Sequence, residues 1–210
     1  MLRIDTHAHY LPKCWPDLAA KYGDPRFPVI HHEDGRARIY KDGKFFREIW
    51  SKTWDPAERI ADYARFGVQV QVLSTVPVMF SYGAKPQHAL ELHQALNDHM
   101  AEACREHRRH CAGIGTVPMQ SPRLAVQELE RCIDQLGLQG VQIGSHIGAW
   151  NLDAPELLPF FEAAQDLGAA ILVHPWDMMG SESMPKYWMP WLVGMPAEQS
   201  RAACALIFGG

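Results

Sequence analysis

The sequence predicts one α/β domain, the first five units of a (β/α) TIM-type barrel, and three observations carry that expectation. Short runs of strand character alternate with longer segments of helical period, the pattern of parallel βαβ units with right-handed crossovers. A His-Ala-His pair follows the first strand and a single histidine ends the fifth, where barrel chemistry gathers. No Gly-x-Gly-x-x-Gly follows any strand, so a dinucleotide-binding sheet gains no support.

The first strand is read over Leu2–Thr6, with the extended chain continuing to His9. A long connection rich in Pro, Gly, His and aromatics runs to about Thr53. Within it, the Asp42-Gly43 turn between Ala37–Tyr40 and Lys44–Arg47 signals a hairpin over about 37–50. Asp55-Pro56-Ala57-Glu58 supplies an N-cap, a proline at N1 and a capping-box glutamate, so a helix starts there and ends near Gly67. Val68–Val72 is the second strand. Ala89, Leu92, Leu96, Met100, Ala103 and Cys104 restore helical period, and Ala112–Val117 is the third strand. Ser121-Pro122 opens a helix burying Ala125, Leu129, Cys132, Ile133 and Leu136 and stopped by Gly137. Gly140–Ile143 is the fourth strand. Asp153 with Glu156 is read as the cap of the next helix, ended by Gly168; Ala170–His174 is the fifth strand, and 196–208 a final helix.

Length and composition fit a single domain spanning 1–210, with 47% hydrophobic and 21% charged residues typical of a soluble globular chain. The net charge of -4 excludes a general nucleic-acid or anionic-membrane binder. The basic cluster at Arg105–Arg109 reads as a solvated helix end. Five scattered cysteines without a Cys-x-x-Cys argue for reduced thiols and a cytoplasmic location. Arg3 and Asp5 interrupt the apolar start, so no signal peptide is read, and no apolar run reaches the ~18 residues of a membrane span.

The candidate site begins with His7 and His9. Residues two apart on a strand share a face, so both imidazoles reach one cation. In a barrel the end of the fifth strand brings His174 to the same pocket, and three ligands with one open position suit a catalytic zinc. The remaining histidines read differently. His31 and His32 lie in a loop and His88, His93, His99, His107 and His110 on or beside one helix, all read as facing solvent; His146 reads as structural. Asp177 is close enough to His174 to orient it.

Asp5-Thr6-His7-Ala8-His9 is similar to the opening of the amidohydrolase superfamily. Five further runs resemble its aminocarboxymuconate-semialdehyde decarboxylase family: Trp54–Pro56, Ser74–Phe80, Val141–Gly144, His174–Met178 and Trp188–Glu198. The resemblance implies a carboxy-lyase that decarboxylates a small-molecule dicarboxylate semialdehyde without oxidation, in the kynurenine branch of tryptophan degradation. It implies Zn2+ held by His7, His9 and His174, a substrate carboxylate held by Arg47, pocket walls at Met178 and Trp191, and a homodimer when complete. Arg47 as a surface hairpin charge, and Trp188, Trp191 and Met195 as plain packing, stand as the competing readings. The family's base histidine follows a sixth strand and its aspartate an eighth. Both are expected beyond Gly210, so no catalytic residue is assigned within the chain and the 210 residues alone are expected to be inactive, as an incomplete form. The alternatives are a hydrolase or hydratase of the same superfamily, or a non-catalytic fragment.

Overall fold

A computed structural model describes residues 1–209. In chain order its elements are β1 (Ile4–His9), α1 (Leu18–Tyr22), β2 (Val29–Glu33), β3 (Arg36–Lys41), β4 (Lys44–Trp50), α2 (Pro56–Ala64), β5 (Val70–Ser74) and α3 (Pro86–Glu106). They continue with β6 (Cys111–Gly113), β7 (Gly115–Thr116), α4 (Pro122–Glu130), β8 (Gly140–Gly144), α5 (Leu158–Asp166), β9 (Ala170–His174) and α6 (Met195–Phe208).

The site rests on parallel strands that pair in sequence order, β1-β5-β6 and β7-β8-β9. β6 and β7 are the two ends of one stretch broken at Ile114, whose N–H still donates to the Leu73 carbonyl at 2.8 Å. A parallel sheet is covered on both faces; β8 is buried along its whole length, and Leu73, Val141 and Ile143 are fully buried. Helices α3, α4 and α5 supply Met100, Leu129 and Phe160 to the same core.

Two registers decide where the histidines sit. β8 and β9 pair without a break from Gly140 opposite Ala170 to Gly144 opposite His174. β1 pairs with β5 through Ile4–Val70 and Asp5–Gln71, then resumes at Ala8–Leu73 and His9–Ser74. Three steps on β1 therefore match two on β5, a bulge of the kind that re-aims side chains. The strand also lies two to three residues later than the sequence reading. Leu2 and Arg3 precede the ladder, so His7 and His9 are inside β1 rather than beyond it.

Between β1 and α2 the chain forms an antiparallel sheet of order β2-β3-β4. Its Asp42-Gly43 turn has positive φ at both residues (52° and 69°), the primed turn that Asp-Gly favours. β2 escaped the sequence reading because Val29-Ile30-His31-His32-Glu33 turns polar and exposed over its second half. This sheet covers a second apolar cluster of Leu11, Phe27, Ile39, Met79 and Leu92.

Four local expectations are corrected. Asp55 caps α2, accepting the Glu58 N–H at 3.0 Å, but the Glu58 carboxylate turns to the Ser51 hydroxyl instead of closing the box. The Asp55 N–H is satisfied by the Ser51 carbonyl. Asp153 caps nothing: a 3-10 turn at Pro155–Leu157 leads into α5 with Ala154 at its start. His93 is buried in α3, not solvated, with a ring nitrogen 3.0 Å from the Phe80 carbonyl. His99 is also packed, stacked on Tyr10 and 3.0 Å from its hydroxyl. Among the described residues no helix is long and apolar enough to cross a membrane.

Candidate metal centre and substrate pocket

His7 and His9 reach forward from β1, and His174 meets them from the end of β9. Their ring centroids lie 5.0 to 5.2 Å apart, and one nitrogen from each falls within 4.8 Å of the others. The Pro175 carbonyl, 2.7 Å from His174 Nδ1, can only accept, so Nδ1 carries the proton. His174 Nε2 is then a free lone pair, and it faces His7 Nε2 at 3.2 Å.

Electrostatics hold His9 and His174 neutral. Burial, then the neighbouring His174 and His7, pull the His9 pKa down to about 4. Burial likewise lowers that of His174, against the opposing hydrogen bond to Pro175. Neutral imidazole is the ligating form. Convergent lone pairs with a fixed tautomer therefore fit a divalent ion of the zinc, iron, manganese or cobalt kind.

Beneath the histidines a polar brace fixes β1. Buried Arg59, on α2, donates to the His9 carbonyl and, at 3.0 Å, to the Lys52 carbonyl. Gln71 on β5 donates to Asp5 Oδ2 at 3.2 Å, while Asp5 Oδ1 accepts the His7 N–H at 3.1 Å.

The cluster opens into a cavity of about 460 Å³. Val76, Pro77 and Val78, following β5, make one side of it. Arg47 and Lys41 reach it from β4 and β3, with Phe46 between strand and cavity. Met178 and Trp191 stand on the far wall beside Trp176 and Met195. Every metal or substrate candidate from the sequence thus lies on one pocket. Trp188 does not line it; it is 71% exposed and packs on Trp191 at 4.9 Å. Asp177 lines the cavity, but the Pro175 carbonyl, not Asp177, orients His174.

Lys41 was missed. Its ammonium sits 5.1 Å over the Trp176 ring, and burial lowers its pKa. The signal was available: once Asp42-Gly43 is a two-residue turn, Lys41 must pair with Lys44 on the arm that carries Arg47.

Fold and site together give parallel β/α units that carry a three-histidine cluster able to hold a metal ion, and the chain belongs to the amidohydrolase family, whose profile matches residues 4–210. It is 54% identical over 210 residues to the 2-amino-3-carboxymuconate-6-semialdehyde decarboxylase of Dictyostelium discoideum, covering all of this chain and 58% of that protein. The corresponding Caenorhabditis elegans decarboxylase is 36% identical over 258 residues, covering 99% of this chain and 64% of that protein. Among solved structures, 5-carboxyvanillate decarboxylase from Sphingomonas paucimobilis superposes with a TM-score of 0.77 at 25% identity, covering 99% of this chain and 63% of that one. The chain therefore spans about three fifths of the length of these relatives.

Proposed function

We propose that the protein is a zinc-dependent carboxy-lyase that releases CO2 from 2-amino-3-carboxymuconate 6-semialdehyde, a step of tryptophan degradation through kynurenine. The observation that supports this most is the meeting, in one 460 Å³ pocket, of three imidazoles with two basic side chains, Arg47 and Lys41. Two basic side chains beside the metal candidates suit a substrate that bears two carboxylates. The names of the 54% and 36% identical relatives point to the same substrate.

His7, His9 and His174 would hold the ion. When bound, it supplies Lewis-acid polarisation to the conjugated substrate. The rest falls to the chain's own residues. The Arg47 fork suits a carboxylate bidentately, and Lys41 adds a second charge. Trp176 and Trp191 offer flat faces to a conjugated chain, and Val76, Val78 and Met178 keep water from its sides. Held so, the carbon bearing the scissile carboxylate takes up a proton from solvent, the carboxylate leaves as CO2, and the bonding pair it leaves behind restores the conjugated double bond, the proton standing where the carboxylate was.

The test is to load the enzyme, extended to the full length of its relatives, with zinc and follow the near-ultraviolet absorbance of aminocarboxymuconate semialdehyde. Loss of absorbance with CO2 release supports the reading. A protein with stoichiometric zinc that leaves this substrate intact but turns over γ-resorcylate or 5-carboxyvanillate would overturn the substrate assignment.

A further inference from the structure

Glu198, four residues into α6, is fully buried, yet it lines no part of the pocket and touches no metal candidate. Its carboxylate ties three separate pieces of chain together. Oε2 accepts the Ser145 hydroxyl just after β8 at 2.9 Å and the Arg201 guanidinium at 2.6 Å. Oε1 accepts the Met179 backbone N–H, in the loop after β9, at 2.9 Å. Ser145 in turn accepts the Trp176 N–H at 3.4 Å. His146 Nε2 lies 3.8 Å from Glu198 and 3.2 and 3.3 Å from the Trp176 and Asp177 carbonyls.

The bonded loop is the one that needs holding. It runs straight on from His174, carries Trp176, Asp177 and Met178 into the cavity, and places Asp177 at φ 45°, a conformation unfavourable for a residue with a Cβ. Trp176 is packed against Phe80 and Tyr82, with ring centroids 6.0 and 5.9 Å away, but beyond it Met179 is 43% exposed. Where it meets α6 the packing is close, since a Cβ on Gly194 would lie 2.9 Å from that of Met178. Charge-assisted bonds to a desolvated carboxylate are strong enough to fix such a segment.

We infer that Glu198 is the positioning residue of the substrate wall: it locks the Trp176–Met179 loop to β8 and α6 and so sets where Trp176 and Met178 stand. The inference rests on the pocket being the substrate site, but its first readout does not. Hydrogen–deuterium exchange of the full chain, without substrate, is compared for wild type, Glu198→Gln and Ser145→Ala, the last a milder cut of the same hub. Exchange in peptides covering 175–184 is expected to quicken about tenfold in E198Q and less in S145A, with β1 and α4 unchanged. Zinc content is expected to stay at the wild-type level. In the active enzyme KM rises about tenfold in E198Q while kcat changes little, the mark of lost positioning.

Unchanged exchange over 175–184 in both variants would overturn the inference. So would acceleration spread evenly over the chain, which would make Glu198 a general stabiliser. A wild-type protein that does not decarboxylate would defeat the proposed function alone, because exchange is read without substrate.

Discussion

At the scale of single residues, the site depends on which nitrogen of each imidazole is free. His174 is the clearest case, since a backbone carbonyl assigns its proton and leaves one lone pair to share with His7 and His9. Replacing His174 with alanine is expected to abolish stoichiometric zinc retention while far-ultraviolet circular dichroism stays near wild type; metal analysis after gel filtration checks it. Arg47 makes a graded prediction. Arg47→Ala removes a charged hydrogen-bonding fork worth roughly 1.5–3 kcal/mol, so KM should rise about 10- to 100-fold with zinc content unchanged. Arg47→Lys keeps the charge and loses the fork, and steady-state kinetics should place it between alanine and wild type.

The three-histidine cluster was legible because strand period puts His7 and His9 on one face and the barrel reading brings the end of the fifth strand, His174, to meet them. His93 was not read correctly, although the pattern held the information. Ala89, His93, Leu96 and Met100 recur at four, three and four residues, which puts His93 on the apolar stripe of α3. The residue type outweighed its position. Lys41 failed for a different reason, since a hairpin arm must be paired before its side chains can be assigned to a cavity.

At the scale of elements, closeness of backbone controls the site. A Cβ on Gly140 would lie 1.9 Å from the Ala170 carbonyl oxygen on the neighbouring strand. That contact is between two backbones, so no rotamer change relieves it. Gly140→Ala should therefore cost more than the ~1–3 kcal/mol of ordinary overpacking, and urea unfolding is the measurement. Because Gly140–Ala170 opens the ladder that ends at His174, the same variant should also lose zinc. Helix α2 gives a milder case: Asp55→Ala should cost about 1 kcal/mol through its lost cap, again by urea midpoint. Strands, helices and the Asp-Gly turn could be read from the sequence, since period and turn chemistry are local. The bulge in β1 could not, because its partner β5 lies far along the chain; β2 could not, because its second half is polar and exposed.

At the scale of the whole molecule, His93 links stability to pH. Burial lowers its pKa from 6.5 to about 4 in the folded state. Between those values the unfolded chain binds more protons, so stability falls as pH drops from 6.5 toward 4, by up to about 3 kcal/mol from this residue. Above 6.5 its contribution is constant. Thermal melts across that window should slope downward toward acid for wild type and less steeply for His93→Leu.

The small β2-β3-β4 sheet separates two jobs. The imidazoles stand on the parallel strands, whose geometry is locked by the core, while Arg47 and Lys41 stand on an insertion joined to them through loops. An altered insertion would change which acid is held without disturbing the metal ligands. Under the proposed function, the parallel strands would serve as a fixed tool and residues 29–50 as an exchangeable jig that determines what the tool is applied to.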